Sequence, residues 1–183
     1  MSRNTKGYVT YMTTLKEIKT VAKSLNHIIQ SNDRVNAESE IVITLNSLGF
    51  YFIGDGINRK VYGNGEYVIK IDFCGGCDNQ NEKEVKNYFS LSEEERKLFP
   101  EIIDYDKNKD CYWILAEEVK VLDTNPDNES YSFWSKVADE LEKELRELHL
   151  YVPDLHRHNV GLTKSDGRMV VVDMGIGDIH GKH

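Results

Sequence analysis

Tyr151–Gly175 reads YVPDLHRHNVGLTKSDGRMVVVDMG, and the rest of the chain is organised around it. An acidic loop, Asp154-Leu155-His156-Arg157-His158-Asn159, is followed by a short strand pattern, Val160–Leu162. A turn carrying Asp166-Gly167 leads to an apolar strand, Met169–Val172, which delivers Asp173. Two strands joined by a turn form a hairpin, so their far ends lie side by side. This pairing predicts Asp154, Asn159 and Asp173 at one end of the hairpin. One carboxylate can act as base there, while a carboxylate and an amide hold a hard cation by oxygen. Metal-assisted phosphoryl transfer needs those groups. An acidic hairpin of an unrelated domain would carry the same residues, so the flanking sequence has to decide.

Working outward, Trp134, Val137, Leu141, Leu145 and Leu148 recur at spacings of three and four, which predicts a long amphipathic helix whose apolar stripe belongs to the core. Upstream, Tyr112–Val119 reads as a strand that ends in acidic residues and leaves as a linker. Ile102–Asp106 reads as another strand, and Ser92–Lys97 as a charged, solvated helical run closed by Pro100. Between Phe50 and Ile71 the pattern is antiparallel: Phe50–Ile53, Gly54-Asp55-Gly56, Lys60–Tyr62, a Gly63-Asn64-Gly65 turn, then Glu66–Ile71. Lys70 stands inside an apolar strand, where an unpaired charge is costly. A partner is expected on the helix Asn81–Phe89. Glu82 shares a face with Val85 and Phe89 and is the preferred one, with Glu84 as the alternative.

The ordered set of these features resembles the protein-kinase-like superfamily. D-L-x-x-x-N at Asp154–Asn159 and hydrophobic-D-x-G at Val172–Gly175 look like its catalytic loop and metal-binding segment. G-x-G-x-x-x-x-V-Y at Gly54–Tyr62, followed by V-I-K-I at Val68–Ile71, resembles its phosphate-covering loop and lysine strand. His156, two residues after Asp154, resembles the aminoglycoside-phosphotransferase-like, small-molecule branch. Two positions depart from the pattern: Val152-Pro153 precedes the loop where His-Arg or His-Gly is usual, and Arg59 replaces the third loop glycine.

The resemblance covers roughly residues 50–175 and implies an α+β, reduced protein-kinase-like fold. A helical N-terminal extension (1–48) would precede an antiparallel N-lobe (49–119) and a truncated C-lobe (120–183). It implies ATP and Mg²⁺ as cofactors. Asp154 would orient or deprotonate the acceptor hydroxyl, and His156 would approach the γ-phosphate. Lys70, paired with Glu82, would position the α/β-phosphates, and Asn159 and Asp173 would hold the metal. Gly54, Gly56, Arg59 and Val61 would cover the nucleotide. Adenine would lie against Ala116 and bond main chain near Glu117 and Val119. Only residues 176–183 follow Gly175, so no activation segment or helical substrate platform is expected. The implied architecture is that of a minimal, atypical kinase of phage or bacterial type. A protein Ser/Thr hydroxyl is the first acceptor and a small-molecule hydroxyl the second. A non-catalytic pseudokinase is the rival reading, and a protein partner completing the C-lobe is a further expectation.

Length and charge agree with a small soluble unit. The 183 residues suffice for one good core or two small lobes. A net charge of −8 argues against a nucleic-acid or anionic-membrane surface. No stretch approaches the roughly 18 apolar residues of a membrane span. The start, MSRNTKGYVTYMTT, has no apolar secretory core, so the cytoplasm is the expected compartment. Cys74-Gly-Gly-Cys77 has no second pair to complete a zinc site and reads as a glycine-rich loop. Near the N-terminus, apolar residues at helical spacing predict helices over Thr13–Gln30 and Asn36–Leu48. The second would bury Ile41, Val42, Leu45 and Leu48. Both are expected to pack on the domain rather than offer a partner surface.

Overall fold

The computed structural model describes residues 13–56, 59–73, 79–121, 127–153, 155–173 and 179–180. The expected base Asp154, the Cys74–Cys77 loop and the last two residues of the D-x-G segment lie outside them. Helix α1 (Leu15–Ser31) starts at a capping box: Thr14 accepts from the Glu17 amide while the Glu17 side chain returns to Thr14. Its buried face is Ile18, Ala22, Leu25 and Ile28. Helix α2 (Arg34–Ser47) is capped by Asp33, whose carboxylate accepts from the Val35 and Asn36 amides. Gly49, at φ +81°, ends the helical segment in the left-handed region that suits glycine. Ala37, Ile41 and Leu45 are buried on α2, but Val42 is 37% exposed, because it lies one position round from that stripe.

The two helices cover one face of a five-stranded sheet of order β1-β2-β3-β5-β4. Its strands are β1 (Tyr51–Asp55), β2 (Arg59–Gly63), β3 (Tyr67–Asp72), β4 (Ile102–Tyr105) and β5 (Trp113–Glu117). Every pairing in it is antiparallel. Strand alternation divides β3 between two cores. Ile69 and Ile71, fully buried, join Trp113 and Leu115 beneath α1 and α2. Val68 faces the other way and joins the second core, so Lys70 turns to that side with it.

The second core lies on the opposite face. It contains Phe99, Ile114 and Trp134, with Leu141, Leu145, Val160 and Val171. Around it are α3 (Gln80–Ser90), the short α4 (Glu93–Arg96), α5 (Asn128–Glu147) and a three-stranded sheet of order β6-β7-β8. The strands of that sheet are β6 (Val119–Val121), β7 (Val160–Thr163) and β8 (Met169–Val171), again antiparallel. The hairpin expected at Tyr151–Gly175 is therefore present as β7–β8. Helix α5 buries its stripe as far as Leu145, whereas Leu148, at the C-cap, is 40% exposed.

Two features differ from the sequence reading. The segment expected as a linker after Glu117 forms β6, which pairs with β7 and straddles the boundary expected at 119/120. Helix α3 turns a polar face inward: Asn81, Glu84, Asn87 and Tyr88 are buried, while Phe89 is 45% exposed. The described residues thus form an α+β fold of five helices and two antiparallel sheets. Among them, no helix is long and apolar enough to cross a membrane.

Candidate active-site cleft

A cleft of about 430 Å³ opens between the inner face of the five-stranded sheet and the end of the β7–β8 hairpin. Gly54, Gly56, Arg59 and Val61 form its roof, because the β1–β2 hairpin folds over it. Lys70 and Ala116 form the back wall, and Glu117 and Val119 the rim. Asn159 and Asp173 line the floor. The Gly56 amide donates to the Arg59 carbonyl oxygen at 2.8 Å and closes the hairpin end. The Glu117 and Glu118 amides are committed to the carbonyl oxygens of Glu101 and Glu66, each at 2.9 Å. A ligand on the rim therefore has to use other main-chain groups.

The lysine finds its partner on α3. Lys70 Nζ lies 2.6 Å from Glu84 Oε1 and donates to the Val172 carbonyl oxygen at 2.9 Å. Both side chains are nearly buried. The partner is Glu84 and not Glu82, which is exposed. The expectation failed because it took Phe89 as the inward marker of the helix. The inward face is instead set by Asn81, whose amide donates to the Lys70 and Tyr112 carbonyl oxygens at 3.2 and 3.1 Å. Those bonds hold α3 against β3 and carry Glu84, one turn on, to the lysine.

Arg59 adds a second cation. Its guanidinium lies 2.5 Å from Glu84 Oε2 and 2.9 Å from Asp173 Oδ2. Burial opposes its charge, but Glu84 and Asp173 more than offset this, so its pKa stands above the ordinary arginine value. Two cations and two carboxylates thus form one chain, Lys70–Glu84–Arg59–Asp173. Removing one member of such a buried set strands the charge of another.

His156 lies away from this cleft, exposed, in a shallow neighbouring pocket with Ser135, Asp139 and Arg157. His158 lines both cavities and separates them. The His158 amide donates to His156 Nδ1 at 3.1 Å. His156 Nε2 lies 3.4 Å from the Asn159 side-chain nitrogen. Asn159 and Asp173 offer oxygen donors of the kind that suits Mg²⁺. Among the described residues, no group of three or more His, Cys, Asp or Glu side chains could hold a metal ion. These two donors would need further oxygens from a ligand or water.

Sequence reasoning missed Glu118 and Lys164. Glu118 is buried beside Gly63 and accepts from the Gly65 amide at 2.7 Å and from Lys164 Nζ at 2.6 Å. Nothing in a linker glutamate and a turn lysine far apart in the chain signals that they meet. Comparison with protein-family models finds no match for the chain, and comparison with curated protein sequences finds none.

Proposed function

We propose that the protein is an Mg·ATP-dependent phosphotransferase of reduced protein-kinase-like fold, which transfers the γ-phosphate to a hydroxyl. The observation that carries this reading is the Lys70–Glu84 ion pair inside a cleft that also has the Gly54–Gly56 hairpin above and Asn159 and Asp173 below. Glu84 holds the Lys70 ammonium on the back wall, where it meets the α/β-phosphates. Asp154 accepts the acceptor's proton as its oxygen bonds the γ-phosphorus, and the bond to the bridging oxygen breaks, leaving ADP. Asn159 and Asp173 would hold Mg²⁺, which would supply neutralisation of the phosphate charge. Positioning and charge neutralisation carry most of this chemistry. A protein Ser/Thr hydroxyl is the first acceptor, and a small-molecule hydroxyl, suggested by His156, the second.

A non-catalytic binding module is favoured by one observation: Arg59 already occupies an oxygen of Asp173. Thermal unfolding with ATP, with and without Mg²⁺, on wild type and Asp173→Ala separates the readings. Nucleotide at about 100 times its dissociation constant stabilises the fold by about 2.7 kcal/mol. A Mg²⁺-dependent rise in Tm, lost in Asp173→Ala, supports the phosphotransferase. No rise at millimolar ATP leaves the binding module.

A further inference from the structure

The chain Lys70–Glu84–Arg59–Asp173 is balanced in charge but uneven in access. The side chains of Arg59 and Glu84 are 7% and 4% exposed, and that of Asp173 is 27% exposed. Asp173 is therefore the member that solvent and ions reach, and its Oδ2 faces the guanidinium at 2.9 Å. A divalent cation coordinated by the Asp173 carboxylate would sit beside a fixed positive charge, and like charges at that range repel strongly in a half-buried site. The guanidinium has somewhere to go. Its other end is anchored to Glu84 at 2.5 Å, and Arg59 borders the cleft itself. Letting go of Asp173 leaves the anchored fork with donors turned to the cavity, in a geometry that matches phosphate oxygens.

We infer that Arg59 and a divalent cation compete for Asp173, so that metal entry and release of the guanidinium are one exchange. Arg59 thereby sets the cation concentration at which the site loads. The inference rests on the proposed nucleotide site for its biological sense, but the exchange itself needs only Arg59, Asp173 and a metal. An arginine that served folding alone would show the same ion pairs and would leave metal affinity untouched.

The test is Mn²⁺ binding, followed by electron paramagnetic resonance, to wild type, Arg59→Gln and Asp173→Asn, without nucleotide and with ATP. Arg59→Gln is expected to bind Mn²⁺ about tenfold more tightly than wild type, an ordinary size for coupling between two ligands. Asp173→Asn should remove the binding. Equal or weaker affinity in folded Arg59→Gln overturns the exchange, as does absence of Mn²⁺ binding from both proteins. If Arg59→Gln does not fold, the wild type decides through the Arg59 Nε–H resonance. That signal must shift on Mg²⁺ addition with the midpoint of metal binding, and a signal unmoved to saturation overturns the proposal. Tight Mn²⁺ binding by Arg59→Gln with no ATP binding by either protein keeps the exchange and removes the nucleotide reading. ATP binding with equal Mn²⁺ affinities does the reverse.

Discussion

Lys164 Nζ lies 2.6 Å from Glu118 Oε1 and 2.8 Å from the Gly65 carbonyl oxygen, and so joins the β7–β8 turn to the β2–β3 turn. The Glu118 carboxylate stands in the crossing from one sheet to the other and takes the Gly65 amide as well. Three segments distant in sequence are fastened at the rim of the cleft. Lys164 is 43% exposed and Glu118 10%, which makes this pair stronger than a surface contact and weaker than a buried one. A urea double-mutant cycle on Lys164→Ala and Glu118→Gln is expected to give a coupling of about 1 kcal/mol, reduced by salt. Strict additivity would remove the clasp.

Gly63 reports on the same carboxylate from the other side. A Cβ there would strike the Glu118 carboxylate and press on Ile53. Gly63→Ala is expected to cost about 1–3 kcal/mol. Much of that loss should return in the Gly63→Ala, Glu118→Ala double variant, where the obstructing group is gone. A loss unchanged by the second substitution would show that the backbone, not Glu118, requires glycine.

Glu84 and Glu82 lie two positions apart with opposite fates. Glu84→Ala takes the carboxylate partner from buried Lys70 and leaves Arg59 with Asp173 alone, and is expected to cost about 3–5 kcal/mol in chemical unfolding. Glu82→Gln changes an exposed first-turn charge and should stay within about 0.5 kcal/mol. Equal losses would contradict the geometry of α3.

These cases show what the chain discloses before it folds. The strands at Phe50–Ile71, the long helix and the β7–β8 hairpin were legible, because period and turn residues act locally. Lys70 was legible since a cation in an apolar strand demands a partner. Which glutamate answers it was not. The inward face of α3 is decided by Asn81 reaching the carbonyl oxygens of Lys70 on β3 and of Tyr112 just before β5, and no apolar pattern records that. Strand β6 was hidden for a similar reason, because its three residues become a strand only when β7 lies beside them. Arg59 was visible as an oddity in a glycine-rich turn. Its two partners come from α3 and from the end of the β7–β8 hairpin, so only the fold brings them together.

Burial, with the Asp106 carboxylate as a secondary cause, pushes the Cys111 thiol up to about 12. The thiolate is the reactive form, so Cys111 should resist alkylation in the folded state at pH 8. In a Cys74→Ser, Cys77→Ser background, iodoacetamide followed by mass spectrometry should find no adduct until urea unfolds the chain. Prompt native labelling would contradict the buried placement.

Lys60 ties the β1–β2 hairpin to α2 through Glu38 at 2.6 Å, and this bond holds the Glu38 carboxyl below its ordinary range. A carboxyl lowered by folding contributes stability above its unfolded value of about 4.3, and loses it as pH falls through the folded value. The Tm difference between wild type and Lys60→Met should therefore be full near pH 6 and shrink toward pH 3. A difference independent of pH would assign the contribution to packing of the lysine stem.

Ile69 and Ile71 are gripped from behind by α1 and α2, and Lys70 sits between them on the same strand. The depth at which the ammonium enters the cleft is thus calibrated by helices that no ligand in the cleft touches. A thinned side chain at Leu25 or Ile41 would act on the cleft as slack in a mounting, leaving its chemistry intact and its aim off.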